Sequence, residues 1–452
     1  MAVPTPLSDF VAAYAQSGTV RAHMPGHKGK AFLGCEALDI TEIRGADALY
    51  EADGIIAQSE AIAARHFGAG RTLYSAEGSS QCIRAMLCLA AGLHRGPARP
   101  LILAGRNVHK AFIHACALLD LDVRWLMPEG EGGGSVCSCP ITPAGLEQAL
   151  GGCAAAPCAV YITAPDYLGG SPDIAALAAV CRRHGLPLLV DNAHGAYLRF
   201  LTPSRHPLDL GAAMTCDSAH KTLPVLTGGA YLHISKAWLD RLPGDPRLAM
   251  GLFGSTSPSY LILQSLDLCN RYLETYGQRL ADFVDALQGL RRRLTQKGWH
   301  LAQSDPLRLV VCGPGEGREL AQKLRQGGVE CEYADPTAVV LMLTPENTPE
   351  DLTRIEKAFG LPEDGERRPV TLPTLPMPRQ VMSIRQAVLS PAESIPAFRA
   401  VGRICAAPTV ACPPAVPIAV SGEIITQAVA DAFAAYGIDR VEVVREPDGR
   451  GE

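Results

Sequence analysis

Lys221 is the residue of this sequence whose surroundings best suit covalent chemistry. It lies in the tract Ser218-Ala219-His220-Lys221, after an apolar run at 210–216 that predicts a short strand. Burial at the edge of a core disfavours the ammonium form of a lysine and leaves a nucleophilic amine. Such an amine can form a Schiff base with an aldehyde cofactor. The alternative, which composition alone favours for any single lysine, is a solvated position on a surface loop.

A carboxylate at the end of an apolar run is the second candidate. Residues 186–190 predict a buried parallel strand that delivers Asp191 at its carboxyl end, where open α/β sheets bind their ligands. A carboxylate there can keep a pyridine nitrogen protonated, which makes the ring a better electron sink. Ala193, two residues on, is small enough to lie against a flat ring. The alternative for Asp191 is a cap of the following segment.

Two further tracts complete a possible cofactor site. Gly78-Ser79-Ser80 precedes a predicted helix at 82–93, and free amides, hydroxyl groups and a helix dipole at that point predict an anion site. An ordinary serine N-cap is the alternative. His109 follows a predicted strand at 101–104 and could stack on a cofactor ring, although a lone histidine is more often structural.

These tracts together resemble the fold-type I pyridoxal-phosphate enzymes, and more narrowly the bacterial ornithine/lysine/arginine decarboxylase family, in a short form without the amino-terminal receiver-like domain. The resemblance covers nearly the whole chain, and the tracts occur in the family's order and spacing. The matching tracts are Pro25-Gly26-His27-Lys28, Arg106-Asn107-Val108-His109-Lys110, Asp191-Asn192-Ala193-His194, Ser218-Ala219-His220-Lys221 and Ser255-Thr256-Ser257-Pro258-Ser259-Tyr260.

The resemblance implies a role for each of these positions. Lys221 would carry pyridoxal 5'-phosphate and later protonate the product, Asp191 would face the ring nitrogen, and His194 is counted with the catalytic and cofactor-binding residues. His109 and Ala193 would lie on the two faces of the ring. The phosphate candidates are Gly78, Ser79, Ser80, Ser218 and His220 of one subunit, with Ser255 and Thr256 reaching the phosphate of its neighbour, because the family builds each site at a homodimer interface.

The implied reaction is decarboxylation of arginine, lysine or ornithine to an amine and CO₂, as in polyamine biosynthesis, with arginine favoured. Asp166, Glu42 and Asp47 are candidates to bind the distal cation of the substrate, and each could equally be an ordinary solvated charge. Asn192, Tyr197, Ala415 and Ser421 depart from the family pattern, where Glu, His, Gly and Pro are usual.

Two other functions remain open at this point. One is a different pyridoxal-phosphate reaction on the same scaffold, such as transamination or Cα–Cβ cleavage. The other is a non-catalytic regulatory or binding paralogue, against which the intact Lys221 and Asp191 argue. The identity of the product, an amine or a keto acid, separates the decarboxylase from the transaminase.

Composition excludes several classes of protein. The net charge of −5 argues against general binding to nucleic acid or membrane surfaces, and neither a long apolar run nor a signal peptide is present. The 15 cysteines are odd in number and scattered, which predicts reduced core thiols and a cytoplasmic location. Cys137-Ser138-Cys139 lacks a second Cys/His pair at zinc spacing, so no metal site is predicted.

The pattern of the chain predicts an α/β protein of the aspartate aminotransferase-like type. Helices and short apolar strands alternate from Gly54 onward, which predicts a mostly parallel sheet covered on both faces. A long helix at 261–295 leads to a smaller α+β domain, and a charged, proline-rich linker follows at 363–378. The predicted divisions are an arm at 1–50, a cofactor-binding domain at 51–290, a small domain at 291–365 and a carboxy-terminal segment at 366–452.

Overall fold

The computed structural model describes residues 3–128, 135–312, 317–362, 372–373, 375, 377, 379–408 and 415–446. The α-helices are α1 (Pro6–Gln16), α2 (Ile55–Phe67), α3 (Ser79–Ala91), α4 (Lys110–Leu119), α5 (Pro143–Gly151), α6 (Ile174–Arg183), α7 (Ala219–Thr222), α8 (Lys236–Leu239), α9 (Pro246–Gly251), α10 (Tyr260–Gln296), α11 (Gly317–Gln326), α12 (Pro349–Phe359), α13 (Ile384–Leu389) and α14 (Gln427–Ala435). The strands are β1 (Arg71–Ser75), β2 (Leu101–Gly105), β3 (Asp122–Leu126), β4 (Ala159–Thr163), β5 (Leu188–Asp191), β6 (Met214–Asp217), β7 (Ala230–Ile234), β8 (His300–Leu301), β9 (Arg308–Cys312), β10 (Tyr333–Ala334), β11 (Val339–Met342), β12 (Ala392–Pro396) and β13 (Arg440–Val444).

The largest sheet has seven strands in the order β1-β7-β6-β5-β4-β2-β3. The pairs β5–β6 and β2–β3 are parallel, whereas β7 is antiparallel to both of its neighbours, β1 and β6. Every residue of β5, β6 and β7 is buried, as expected for strands covered on both faces. The predicted fold class, a mostly parallel α/β sheet with a smaller α+β part, is confirmed.

The chain forms two compact units. The first comprises Met1–Arg95, Cys158–Val160 and Ile174–Ala281. In this unit α1 packs through the buried side chains of Leu7 and Val11, and its Ser8 amide donates to the carboxylate of Asp267 on α10 at 2.8 Å. The amino-terminal arm is therefore attached to the long helix of its own chain.

The second unit comprises Gly96–Pro157, Tyr161–Asp173 and Asp282–Glu452. It contains a four-stranded sheet in the order β10-β11-β9-β8 and the two-stranded sheet of β12 and β13. Around the two-stranded sheet, Val441 and Val443 pack in one cluster with Val429 and Phe433 of α14. The predicted domain divisions at 50, 290 and 365 stay predictions. Most of the predicted linker at 363–378, together with the Cys412-Pro413-Pro414 tract, lies outside the described residues.

The predicted elements largely coincide with the observed ones, with one shift that matters for the site. The strand expected at 210–216 begins only at Met214, because residues 206–211 form a turn in which the amide of Leu210 bonds to the carbonyl groups of His206 and Pro207. Asp217 consequently ends β6 and does not open the turn that follows. No helix in the described ranges is long and apolar enough to cross a membrane.

Ala415 stands where the resembled family usually has glycine, and its backbone conformation is one that glycine adopts readily. Its φ is 57°, in the left-handed region, and its carbonyl accepts a 2.9 Å hydrogen bond from the amide of Lys110. A Cβ destabilises this conformation by about 1–2 kcal/mol, whereas glycine adopts it freely.

We predict that Ala415→Gly stabilises the protein. The relief of strain exceeds the added entropy of the unfolded chain, so the free energy of unfolding should rise by about 0.5–1 kcal/mol. Ala428→Gly, at an ordinary position in α14, is the matched control and should lower that free energy by a similar amount. Thermal unfolding of both variants measures the effect, and a lower midpoint for Ala415→Gly would contradict it.

Candidate active site

The site is organised by two parallel strands whose carboxyl ends lie side by side. Asp191, the last residue of β5, is in register with Cys216 of β6, and the amide of Asn192 bonds to the carbonyl of Cys216 at 3.0 Å. The turn after β5 carries Ala193 and His194, and α7 after β6 carries Lys221. The open ends of such strands are where α/β sheets bind ligands.

Lys221 and His194 meet across this edge. The Nζ of Lys221 lies 2.8 Å from the Nε2 of His194. His194 is buried and Lys221 is half-buried, so the pair is largely shielded from water. A histidine nitrogen at hydrogen-bond distance can exchange a proton with the amine, which is what a lysine that acts first as nucleophile and then as acid requires.

Asp191 is held as an almost completely buried carboxylate. Its Oδ1 accepts hydrogen bonds from the Ala193 amide at 3.2 Å and the Cys216 thiol at 3.4 Å. Burial and the neighbouring Asp191 both raise the pKa of Cys216 well above its usual value, so Cys216 stays a protonated donor. Asp191 is therefore fixed in one orientation at the strand end.

The amino-terminal end of α3 lies against the same loop as the lysine tract. The amide of Gly78 bonds to the carbonyl of Gly228 at 2.7 Å, and the amide of His220 bonds to the carbonyl of Gly229 at 3.2 Å. Gly78 has a φ of 72° and caps the helix without a side-chain hydrogen bond. Ser79 and Ser80 thus begin a helix whose first amides and dipole suit a phosphate group.

The environment of the Ser218 hydroxyl group also indicates a phosphate site. The Oγ is completely buried, and none of the described protein groups forms a hydrogen bond with it. A buried hydroxyl group of this kind lacks compensation for its lost hydration unless a ligand provides it. The donors of Ser218, His220 and the start of α3 therefore fit the phosphate of pyridoxal 5'-phosphate.

Ser255 and Thr256 are exposed on the loop before α10. The amide of Ser255 donates to the carboxylate of Glu77 at 2.8 Å, so this loop lies beside the turn that starts α3 in its own chain. Their expected contact with the phosphate of a neighbouring subunit stays a prediction.

In the second unit, the Arg106–Lys110 tract serves two structural purposes. The Nδ1 of His109 accepts the amide of Ala111 at 3.1 Å and so caps α4. The buried Arg106 forms an ion pair with Glu423 at 3.1 Å and donates to the carbonyl groups of Pro417 and Ile418. Arg106 thus anchors the carboxy-terminal segment of that unit, while ring stacking by His109 stays a prediction.

The three acids proposed for the substrate cation differ in their surroundings. The carboxylate of Asp47 accepts the amides of Gly54 and Ile56 at 2.9 and 3.0 Å, and that of Asp166 accepts the amides of Leu168 and Gly170 at 2.9 and 2.8 Å. Both are engaged in local turns, whereas Glu42 is exposed. The exposed position favours Glu42 of the three.

The sequence interpretation did not identify a buried polar group beneath the site. Asn192 and Tyr197 are completely buried, so their departure from the family pattern concerns the packing below the site. Asn192 contacts Asp217, which also contacts His206 and lies near His233. His206, Asp217 and His233 have residue types and spacing that could hold a metal ion, a possibility that spacing along the chain could not indicate.

The fold and the arrangement at the ends of β5 and β6 define a fold-type I, pyridoxal-phosphate-dependent enzyme. More narrowly, the chain belongs to the Orn/Lys/Arg decarboxylase family, since the model of the family's major domain matches residues 5–345. It is an amino-acid decarboxylase that acts on a basic amino acid.

Relatives of known sequence agree with this placement, and a solved structure shares the fold. The arginine decarboxylase of Bacillus subtilis is 29% identical over 461 residues, covering 94% of this chain and 91% of the relative. The arginine decarboxylase of Halalkalibacterium halodurans is 29% identical over 457 residues, with 94% and 91% covered. The crystal structure of the lysine decarboxylase LdcF of Francisella novicida superposes with a TM-score of 0.80 at 16% identity, covering 98% of this chain and 81% of that chain.

We predict that Ser218→Ala weakens cofactor binding without destabilising the apoprotein. The change removes a donor to the phosphate, which should reduce the affinity for pyridoxal 5'-phosphate about fivefold. Ser235→Ala is the control, because the Ser235 hydroxyl group is also buried without a partner in the described protein but begins the short helix α8. Fluorescence titration of both apoproteins with the cofactor measures the effect, and equal affinities would contradict it.

Proposed function

We propose that this enzyme decarboxylates arginine to agmatine and CO₂, as a step of polyamine-type metabolism in the cytoplasm. The observation that carries the choice of substrate is the similarity to relatives named arginine decarboxylase, which extends over more than nine-tenths of both chains. The preference for arginine was also the expectation from the sequence tracts.

In this proposal, each residue at the strand ends has a distinct task. Lys221 would hold the cofactor covalently through its Nζ until the substrate amine takes its place, and its amine would then supply a proton to the substrate carbon once CO₂ has left. His194, at 2.8 Å from its Nζ, takes and returns the proton of the amine. The bound cofactor supplies the electron-accepting ring, which the buried carboxylate of Asp191 keeps protonated at its nitrogen.

The remaining binding residues keep the roles predicted from the sequence. Gly78, Ser79, Ser80, Ser218 and His220 bind the phosphate, Ala193 lies against the ring, and His109 stacks on it. Glu42 is the proposed partner of the guanidinium group, because a planar cation with several donors is best matched by a carboxylate.

A homodimer is part of the proposal. Large apolar side chains are exposed on the arm and on α9 of a single chain, and such surface in a protein usually marks an interface. On the arm they include Val20, Met24, Phe32 and Leu33, and at α9 they are Leu248 and Leu252, which directly follows the helix. Their burial by a second copy would place Ser255 and Thr256 near the neighbouring subunit, as the sequence tract implies.

The direct test is a substrate screen with carboxyl-labelled amino acids. Purified protein supplied with pyridoxal 5'-phosphate should release labelled CO₂ from arginine faster than from lysine or ornithine and should form agmatine in equal amount. Lys221→Ala is the negative control, and it should lose at least about 10³-fold in kcat because it lacks the nucleophile. Preferential turnover of lysine or ornithine would contradict arginine as the substrate, and a keto acid product would contradict decarboxylation.

A further inference from the structure

We infer that Asp217, with Asn192 and His206, forms a buried positioning network that sets the spacing between the turn carrying Asp191 and the turn carrying Lys221. The inference rests on the proposed function of those two residues. None of the three residues of the network is assigned to cofactor or substrate binding. They act on the site indirectly, through the strand ends to which they belong.

The network consists of short contacts around one carboxylate. The Oδ1 of Asp217 accepts from the Nδ2 of Asn192 at 3.0 Å, and its Oδ2 accepts from the Nε2 of His206 at 2.8 Å. The Nε2 of His233 lies 3.7 Å from the same Oδ2, and its Nδ1 is 2.8 Å from the hydroxyl group of Thr72. Asn192, His206, Asp217 and His233 are all completely buried.

The hydrogen bonds around His206 indicate which nitrogen carries the proton. Its Nδ1 accepts the amide of Leu208 at 3.4 Å, so its Nε2 is the donor to Asp217. Burial lowers the pKa of His233 to about 3, so His233 is neutral near pH 7. Burial raises the pKa of Asp217, but His206, His233 and Asn192 lower it by more, so Asp217 is an ionised acceptor surrounded by donors.

The network joins the two strand ends that lead to Asp191 and Lys221, so it can set the spacing between them. Asn192 directly follows Asp191, and Asp217 precedes Lys221 by four residues at the end of the neighbouring strand. Since successive residues of an extended chain point to opposite faces, the Asn192–Asp217 contact joins the strand ends on one face while the Asp191–Cys216 contact joins them on the other. A shift in the Asn192–Asp217 contact would therefore change the spacing of the cofactor-binding residues.

The polar contacts favour a network of hydrogen bonds over a metal site for this cluster. His206 already donates directly to Asp217 at hydrogen-bond length, and the aromatic ring of Phe67 lies 4.3 Å from the ring of His233, centroid to centroid. A buried carboxylate held by donors in this way is stable as long as every partner is present, and removal of one partner is costly.

The test is a double-mutant cycle between positions 192 and 217. Asn192→Asp places two buried carboxylates against each other. Asp217→Asn removes the negative charge and turns the new amide NH2 toward the amide NH2 of Asn192, while its oxygen still accepts from His206, so each change disrupts the network. The double variant N192D/D217N exchanges the carboxylate and the amide: the new amide at position 217 can donate to the new carboxylate at position 192, while its oxygen accepts from His206. We expect each single change to lower kcat at saturating cofactor about tenfold or more, and the double variant to return to within about threefold of the parent.

Two measurements distinguish positioning from simple stability. The first is the pH midpoint of the absorbance band of the bound cofactor, which should shift in both single variants and return in the double variant. The second is the melting temperature. Asp267→Asn is the matched control, since Asp267 is another buried carboxylate of this unit that accepts from Ser8 and Ser59. It should lower the melting temperature while the absorbance midpoint and kcat at saturating cofactor stay unchanged.

If Asn192→Asp or Asp217→Asn does not fold, a second pair of variants at His206 tests the network instead. His206→Phe removes the donor at similar volume and should change kcat and the absorbance midpoint, whereas His206→Gln can still donate and should stay near the parent. Each measurement uses the amino acid that the parent enzyme turns over fastest. A parent that prefers lysine would thus refute the proposed substrate without affecting the test of the network.

Three results would overturn the inference. One is additive loss in the double variant, which would show that positions 192 and 217 are not coupled. Another is a change in melting temperature without any change in kcat or in the absorbance midpoint, which would leave the network a purely structural role. The third is about one equivalent of zinc in the purified protein, lost in His206→Phe, which would make these residues metal ligands.

Discussion

The parallel pairing of β5 with β6 is the constraint on which the rest of the site depends. Asp191 and Lys221 are 30 positions apart in sequence, and they come together because the carboxyl ends of neighbouring parallel strands lie at the same edge of the sheet. The 2.8 Å contact between Lys221 and His194 then joins the two turns directly. A lysine, a carboxylate and a histidine at hydrogen-bond distance from the lysine thus share one sheltered edge.

Burial of polar groups at this edge destabilises the fold unless each group has a hydrogen-bond partner. Asp191 is nearly and Asp217 completely buried, and a carboxylate without partners in such a place would strongly destabilise the folded protein. Amides, thiols and imidazoles provide the compensation: Ala193 and Cys216 donate to Asp191, while Asn192 and His206 donate to Asp217. The hydroxyl group of Ser218 is different, because the described protein offers it no partner and a bound phosphate would.

Much of this could be predicted from the sequence because the signals are local. The apolar run that ends in Asp191, the Gly78-Ser79-Ser80 helix start and the lysine tract each indicate their element and its place at a strand end. The order of the strands and the antiparallel placement of β7 could not be predicted, since they depend on long-range pairing. The Asn192–Asp217–His206 network was missed for the same reason, although the departure of Asn192 from its family pattern was a signal that something beneath the site differs. Likewise, the left-handed φ of Ala415 could not be predicted from the sequence, which shows only that alanine stands where glycine is usual.

Lys221 is the residue that we propose binds the cofactor covalently, and chemical labelling tests this assignment most directly. The protein should be incubated with pyridoxal 5'-phosphate, reduced with borohydride, digested and analysed by mass spectrometry. We expect a phosphopyridoxyl group on the peptide that contains Lys221, at close to one per chain, and its absence from Lys221→Ala. A stoichiometric label on Lys110, Lys28 or any other lysine of the native protein would contradict the account.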